Sequence, residues 1–168
     1  MAVRHLHRSV TALASVLMPA WWTNRLKRLV RGPKRYFVDS SLALATLRLD
    51  VAGLIADADI VARTLDTFVA GQLRAALARS ASSPRLYHLR QEQGRREIDI
   101  MVEYGGQRVF SFEVKATSAP TRHDARHLAW LRDELGDRFL GGAVLHTGPR
   151  AFILDHNIIA APIANLWS

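Results

Sequence analysis

EIDIMVEYGGQRVFSFEVK, residues 97–115, reads as two alternating strand-like runs folded about Gly105 and Gly106. Its register decides which side chains share a face, because a slip of one residue turns every side chain of a strand over. If Gly105 and Gly106 alone form the turn, Ile98 lies opposite Glu113 and Asp99 opposite Phe112, which sets apolar against charged groups. With Gly105-Gly106-Gln107 as the connection, Ile98 pairs with Val114, Ile100 with Phe112 and Val102 with Phe110 on one face. The other face then pairs Asp99 with Glu113, Met101 with Ser111 and Glu97 with Lys115. Hairpin loops of this length place glycine in the left-handed conformation, so the second register is the expected one.

Two carboxylates opposed across antiparallel strands have Cβ atoms about 5 Å apart and repel unless compensated. A divalent cation is a natural compensator, and Mg²⁺ is commonly held by one or two carboxylates completed by phosphate oxygens and water. Asp99 and Glu113 are therefore candidate metal ligands and, with Lys115 as a nearby point charge, candidate catalytic residues for phosphodiester chemistry. The plainer alternative is a solvated hairpin face on which Lys115 neutralises Glu97.

The chain has 168 residues, 49% of them hydrophobic, enough for one domain with a substantial core. The expected organisation is an N-terminal helix and basic connector over 1–35, followed by an α/β domain over 36–168. A net charge of +8, mostly from arginine, favours an anionic partner, with nucleic acid ahead of a membrane. Without cysteine, neither disulfides nor thiolate-ligated zinc is available, and a cytoplasmic location is the default expectation. The apolar run Val10–Met18 is too short to span a bilayer and is expected to be an amphipathic helix rather than a signal peptide.

Arg25, Lys27, Arg28, Arg31, Lys34 and Arg35 form the densest basic stretch, read either as phosphate contacts or as a solvated connector. A short strand follows at Tyr36-Phe37-Val38, then a helix capped by Ser40 or Ser41. Residues 57–78 carry Val61, Leu65, Phe68, Val69, Leu73 and Leu77 at helical spacing, with Asp66 beside the stripe. Strands are expected at 86–89, 97–104 and 108–115, with a polar basic turn containing Arg95 and Arg96 between the first two. A helix over 121–135 with Leu128, Leu131 and Leu135 buried ends at Gly136, and strands follow at 142–146 and 151–154. Residues 158–167 read as a strand or a short helix. Such an order implies an α/β or α+β fold around a central mixed sheet.

His123 and His127 have metal-ligand spacing, but the glutamate and third ligand of the zinc protease pattern are missing, so a solvated helix face is expected. The absence of a phosphate-cradling Gly-x-x-x-x-Gly-Lys-Ser/Thr loop argues against ATP binding by this chain alone.

The pieces LMPAWWTNRLKRLVRGPKRYFVDSSLA, LDTFVAGQL, LYHLR, REIDIMVEYGGQRVFSFEVKA, LAWLRDELGDRF, GGAVLHTG and PIANLW run in order from about Leu17 to Trp167. Together they resemble the uncharacterised C-terminal domain of a large family of prokaryotic AAA+ ATPases, whose fold is related to restriction endonucleases of the PD-(D/E)xK class. The resemblance implies a restriction endonuclease-like core, a central mixed sheet flanked by helices. It implies Asp99, Glu113 and Lys115 as the catalytic set. Mg²⁺ would be held by Asp99, Glu113, the Val114 carbonyl and Asp66, the last standing where the class usually has glutamate. Residues before 36 then correspond to the end of a winged-helix region. The implied partners are nucleic acid, bound through Lys34, Arg35, Arg95 and Arg96, and an ATPase subunit or a second copy of the chain. The alternative from a different class is a non-catalytic DNA-binding or protein-interaction domain.

Overall fold

The ladder between the two runs of residues 97–115 has the expected register from Glu103 to Ile100, but the expected pairs Ile98–Val114, Asp99–Glu113 and Glu97–Lys115 do not form. In a computed structural model, which describes residues 14–25, 28, 31–91 and 94–167, Ile100 pairs with Phe112, Met101 with Ser111, Val102 with Phe110 and Glu103 with Val109. Gly105–Gln107 is a single 3₁₀ turn in which Gly106 (φ 73°) and Gln107 (φ 58°) adopt the left-handed conformation. Glycine carries that conformation at Gly106 without a Cβ penalty, and Gln107 adopts it as well.

Around this hairpin the described elements are β1 (Ser15–Met18), β2 (Lys34–Phe37), α1 (Ser40–Leu47), α2 (Val51–Ile55), α3 (Ala58–Leu77), β3 (Arg85–Gln91), β4 (Arg96–Glu103) and β5 (Val109–Lys115). They continue as α4 (Arg126–Leu135), β6 (Phe139–His146), β7 (Phe152–Asp155) and β8 (Ile158–Pro162), ending in a 3₁₀ turn at Ile163–Trp167. The last segment is thus both of the forms its sequence allowed, a strand and then a helical turn. Six strands form one mixed sheet in the order β3-β4-β5-β6-β8-β7, and β1 and β2 form a separate antiparallel ribbon. β5, α4 and β6 make a parallel crossover unit, while β3-β4-β5 is an antiparallel meander.

Each face of the sheet is covered by one helix. Leu128, Leu131 and Leu135 of α4 pack with Leu89, Ile98, Met101 and Val144 on one side. Val69, Ala70 and Leu73 of α3 pack with Ile100, Val114, Ala143 and Leu145 on the other. Ala143, Val144 and Leu145 alternate between the two cores, as a strand buried on both faces must.

Ile98 departs from the expectation that it shares a face with Ile100. The β3–β4 register shifts between Tyr87 and Leu89, so that Asp99 and Ile100 together oppose His88. This extra residue is a β-bulge, and it sends Ile98 to the α4 side while Ile100 stays on the α3 side.

Several local expectations need correction. Ser15–Met18, expected to end a helix, is a strand paired with Lys34–Phe37, since a partner strand outweighs weak helical propensity. The earlier part of that expected helix lies outside the described residues. β2 begins at Lys34, so the expected connector boundary after residue 35 falls inside a strand. Asp39, rather than Ser40 or Ser41, caps α1, its Oδ1 accepting the Ser41 N–H at 2.7 Å from an extended backbone. α4 starts at Arg126 and not at Thr121, because Asp124 Oδ2 accepts the Thr121 N–H and hydroxyl and closes a turn there.

The segment after β1 covers the outer edge of the sheet. Trp21 N–H donates to the His88 carbonyl at 2.7 Å and His88 N–H to the Pro19 carbonyl at 3.0 Å, which satisfies part of the β3 edge. A clasp holds it there: Arg28 donates two hydrogen bonds to Glu103, at 2.6 and 3.1 Å, and Trp21 Nε1 donates a third. Arg28 also lies over the rings of Trp21 and Tyr87. Burial favours protonation of Glu103, but the hydrogen bonds from Arg28 and Trp21 outweigh it and hold the carboxyl below its ordinary range.

A depressed folded-state pKa stabilises at neutral pH, and its contribution disappears as pH falls through that value. Glu103→Gln is therefore expected to lower stability by about 1–3 kcal/mol at neutral pH, with the gap closing in acid. Urea unfolding at pH 7 and pH 3 would check this, and a gap that ignores pH would exclude the ionised clasp as its source.

Candidate functional site

The bulge that reverses Ile98 also separates β4 from β5. Their ladder stops at Ile100 and Phe112, and Val114 N–H donates to the Asp99 carboxylate Oδ2 at 3.0 Å. Tyr104 N–H bonds the Arg108 carbonyl in this register, so by the alternation of antiparallel pairs Val114 N–H would otherwise have met the Ile98 carbonyl. A side chain thus replaces a backbone acceptor, and the strands splay at the end that carries the charged residues.

At this end the structure brings Asp66, Asp99, Glu113 and Lys115 together. Lys34 of β2 joins them: its Nζ lies 3.0 Å from Asp66 Oδ2 and 3.2 Å from Asp99 Oδ1. The Tyr36 hydroxyl, two residues along β2, donates to the Asp99 carbonyl at 3.3 Å and ties the ribbon to the bulge. Lys115 Nζ meets Glu113 Oε2 at 3.2 Å. Glu113 is buried; no donor faces its Oε1, and only in its protonated form can the carboxyl hydrogen-bond the adjacent Asp99. A buried carboxylate oxygen left unmatched is costly, and such exceptions mark strain, function or a missing ligand.

The electrostatics follow from this crowding. Burial, then the charge of Asp99, drives the Glu113 carboxyl well above the usual carboxylate range, with Lys115 opposing. Burial and Asp99 likewise push Asp66 up to about 6, against the pull of Lys34 and Lys115. Burial disfavours the Lys34 ammonium, yet Asp99 and Asp66 more than compensate and raise its pKa. Lys115 is raised in the same way, with Glu113 and Asp99 overcoming burial.

His127 was expected on a solvated face beside His123. It is instead half-buried on α4, with Nδ1 2.7 Å from the Glu97 carbonyl and 3.8 Å from Glu113 Oε1. A carbonyl only accepts, so Nδ1 carries the proton and is committed to Glu97. Burial lowers the pKa of the ring, so the imidazole is neutral at neutral pH and does not neutralise Glu113.

The expected nucleic-acid contacts divide. Arg35, on β2, and Arg95, just before β4, are exposed. The Arg96 guanidinium lies 4.3 Å from the Trp130 ring centre. Lys34, expected to face phosphates, is held by the two aspartates. Its place had one signal in the sequence, a period of two that sets it beside Tyr36 on the strand. His127 had another, since it stands four residues before Leu131 at the margin of the buried stripe.

Among the described residues no group of three His, Cys, Asp or Glu side chains converges as a cage. Both Asp99 oxygens are engaged, one by Lys34 and one by Val114 N–H, whereas Glu113 Oε1 is unengaged. Asp99 and Glu113 therefore fit one cation completed by phosphate and water, provided that Lys34 gives way. Among the described residues, no helix is long and apolar enough to cross a membrane.

Comparison with known proteins places this geometry in context. The family described as a domain of unknown function, DUF4143, matches residues 62–166, from within α3 to the final 3₁₀ turn. The chain is also similar to the uncharacterized proteins Rv2008c of Mycobacterium tuberculosis and Mb2031c of Mycobacterium bovis, each 31% identical over 162 residues. That stretch is 96% of this chain and 34% of either relative, so the chain spans about a third of the length of the curated relatives it matches. No solved structure matches the chain.

If the Asp99 carboxylate holds the splay, Asp99→Ala strands the Val114 N–H and costs about 1–3 kcal/mol, whereas Asp99→Asn keeps an acceptor for it. Amide exchange at Val114 is expected to accelerate in the first variant and to stay slow in the second; equal rates would remove Asp99 from this role.

Proposed function

The chain belongs to the DUF4143 family, and from that premise we propose that it is a nuclease-like domain that binds nucleic acid and hydrolyses phosphodiesters with Mg²⁺. The observation that carries the reading is the buried Glu113 carboxyl, crowded against Asp99 and Lys115 where the β4–β5 ladder ends, with no donor facing its Oε1.

In this reading Asp99 and Glu113 hold the cation, with Asp66 and the Val114 carbonyl as the further candidates that the PD-(D/E)xK resemblance implies. When bound, the cation offsets charge on the phosphate and lowers the pKa of water. The protein's own part is positional and electrostatic. Lys115, with 35% of its side chain exposed and its ammonium anchored on Glu113, presents a fixed positive charge to an incoming phosphate and water. Asp99, pinned by Val114 N–H, keeps the strand ends apart so that phosphate can approach between them. Arg35 and Arg95, with Arg96 beside Trp130, supply a basic flank for the polymer backbone. An ATPase subunit as partner, a second copy of the chain, and a cytoplasmic location belong to the same proposal.

A second reading is favoured by Lys34, which already neutralises Asp66 and Asp99. On that reading the acids are structural and the domain binds DNA or a protein partner without cutting.

Purified protein incubated with single- and double-stranded DNA and RNA, with and without Mg²⁺, separates the two. Glu113→Gln and Lys115→Met are each expected to reduce cleavage by at least about a hundredfold, the scale of losing an electrostatic stabiliser. Cleavage that is absent, or indifferent to both substitutions, would leave the binding reading. Arg35→Ala and Arg95→Ala are each expected to reduce the slope of log affinity against log salt by about 1; an unchanged slope would remove those side chains from the interface.

A further inference from the structure

The chain is rich in arginine but has only three lysines, Lys27, Lys34 and Lys115. Two of the three meet the acidic site. Lysine and arginine are not equivalent there: an ammonium is a compact point charge that fits between two carboxylates, whereas guanidinium is a planar fork. Lys34 Nζ stands within 3.2 Å of an oxygen from each of Asp66 and Asp99, on separate elements. It thus does from a tether what a hard cation would do from solution. Glu113 Oε1, almost fully buried and faced by no donor, is the oxygen this tethered charge leaves unserved.

We propose that Lys34 is a built-in counter-cation that competes with a divalent ion for Asp99, so that metal entry requires the ammonium to leave. The proposal rests on the reading of Asp99 and Glu113 as a cation site. Departure breaks two ion pairs but has a route. Lys34 is 26% exposed on a long flexible stem, and Tyr36 keeps β2 anchored through its hydroxyl on the Asp99 carbonyl while the lysine swings. The ribbon that carries Lys34 is outside the six-stranded sheet, so no ladder of the main core has to break. Once displaced, the ammonium is free to meet the phosphate of an incoming nucleic acid. The site would exchange one internal ion pair for a metal on the carboxylates and a lysine on the substrate. Such an exchange keeps the acids folded and neutralised when no metal is bound.

Binding of Mn²⁺ alone, measured by calorimetry on the full chain, tests the competition. Lys34→Met is expected to bind roughly ten- to hundredfold more tightly than wild type, the factor equivalent to one charge-assisted hydrogen bond, and Lys34→Arg to fall between the two, because its planar fork fits the paired carboxylates less well. Equal or weaker binding by Lys34→Met, or no binding by either protein, overturns the proposal. Should Lys34→Met not fold, the wild type decides: Mg²⁺ is expected to accelerate modification of Lys34 by an amine-directed reagent, read by mass spectrometry. Insensitivity of Lys34 to Mg²⁺ in that assay overturns it. Tighter Mn²⁺ binding without any cleavage keeps the competition and removes the nuclease reading; Mg²⁺-dependent cleavage with unchanged Mn²⁺ affinity does the reverse.

Discussion

The hydrogen bond from the Val114 N–H to the Asp99 carboxylate governs the architecture of the charged end of the sheet. Because a side chain takes the place of the Ile98 carbonyl, β4 leaves β5 without a buried N–H being orphaned. The extra residue opposite His88 supplies the slack for this change of partner. One consequence is packing: Ile98 turns into the α4 core, so the α4 side of the sheet stays filled past the end of the ladder. The other is chemical, since the Lys34–Asp99 and Lys115–Glu113 ion pairs both lie where the ladder ends.

Charge balance in that gap is nearly closed within the protein. Three carboxyl groups, from Asp66, Asp99 and Glu113, face two ammonium groups, from Lys34 and Lys115. The raised pKa values of Asp66 and Glu113 reflect acids that burial and mutual repulsion make reluctant to ionise together. His127 adds no charge, its ring proton held on Nδ1 by the Glu97 carbonyl. The N-terminal segment contributes in two independent ways. Its clasp of Trp21 and Arg28 on Glu103 covers the edge of β3, while the ribbon it leads into brings Lys34 to the acids.

Much of the hairpin could be read from side-chain alternation. Phe110, Phe112 and Val114 demand a common face, and only a connection through Gln107 gives them Val102 and Ile100 as partners. The long helix was equally legible, from the stripe through Val69 and Leu73. What failed was local in origin and tertiary in cause. Ser15–Met18 is a strand because Lys34–Phe37 lies beside it, and α4 is shortened because Asp124 bonds back to Thr121. His127 could not be placed by spacing alone, since a residue at the margin of a buried stripe faces whatever the neighbouring strand offers.

The amino-acid sequence by itself determined the register of the central hairpin, the two helical stripes that cover the sheet and the presence of Asp99, Glu113 and Lys115 at one end. These depend on periodicity and on glycine conformation, which are properties of short segments. Only the tertiary structure decided that Ile98 and Ile100 face opposite cores, that Asp99 serves Val114 and that Lys34, from a basic run that reads as phosphate contacts or a solvated connector, is clamped between two acids. A bulge depends on the partner strand and an ion pair on the folded charges around it, so neither is encoded in the spacing of residues along one element.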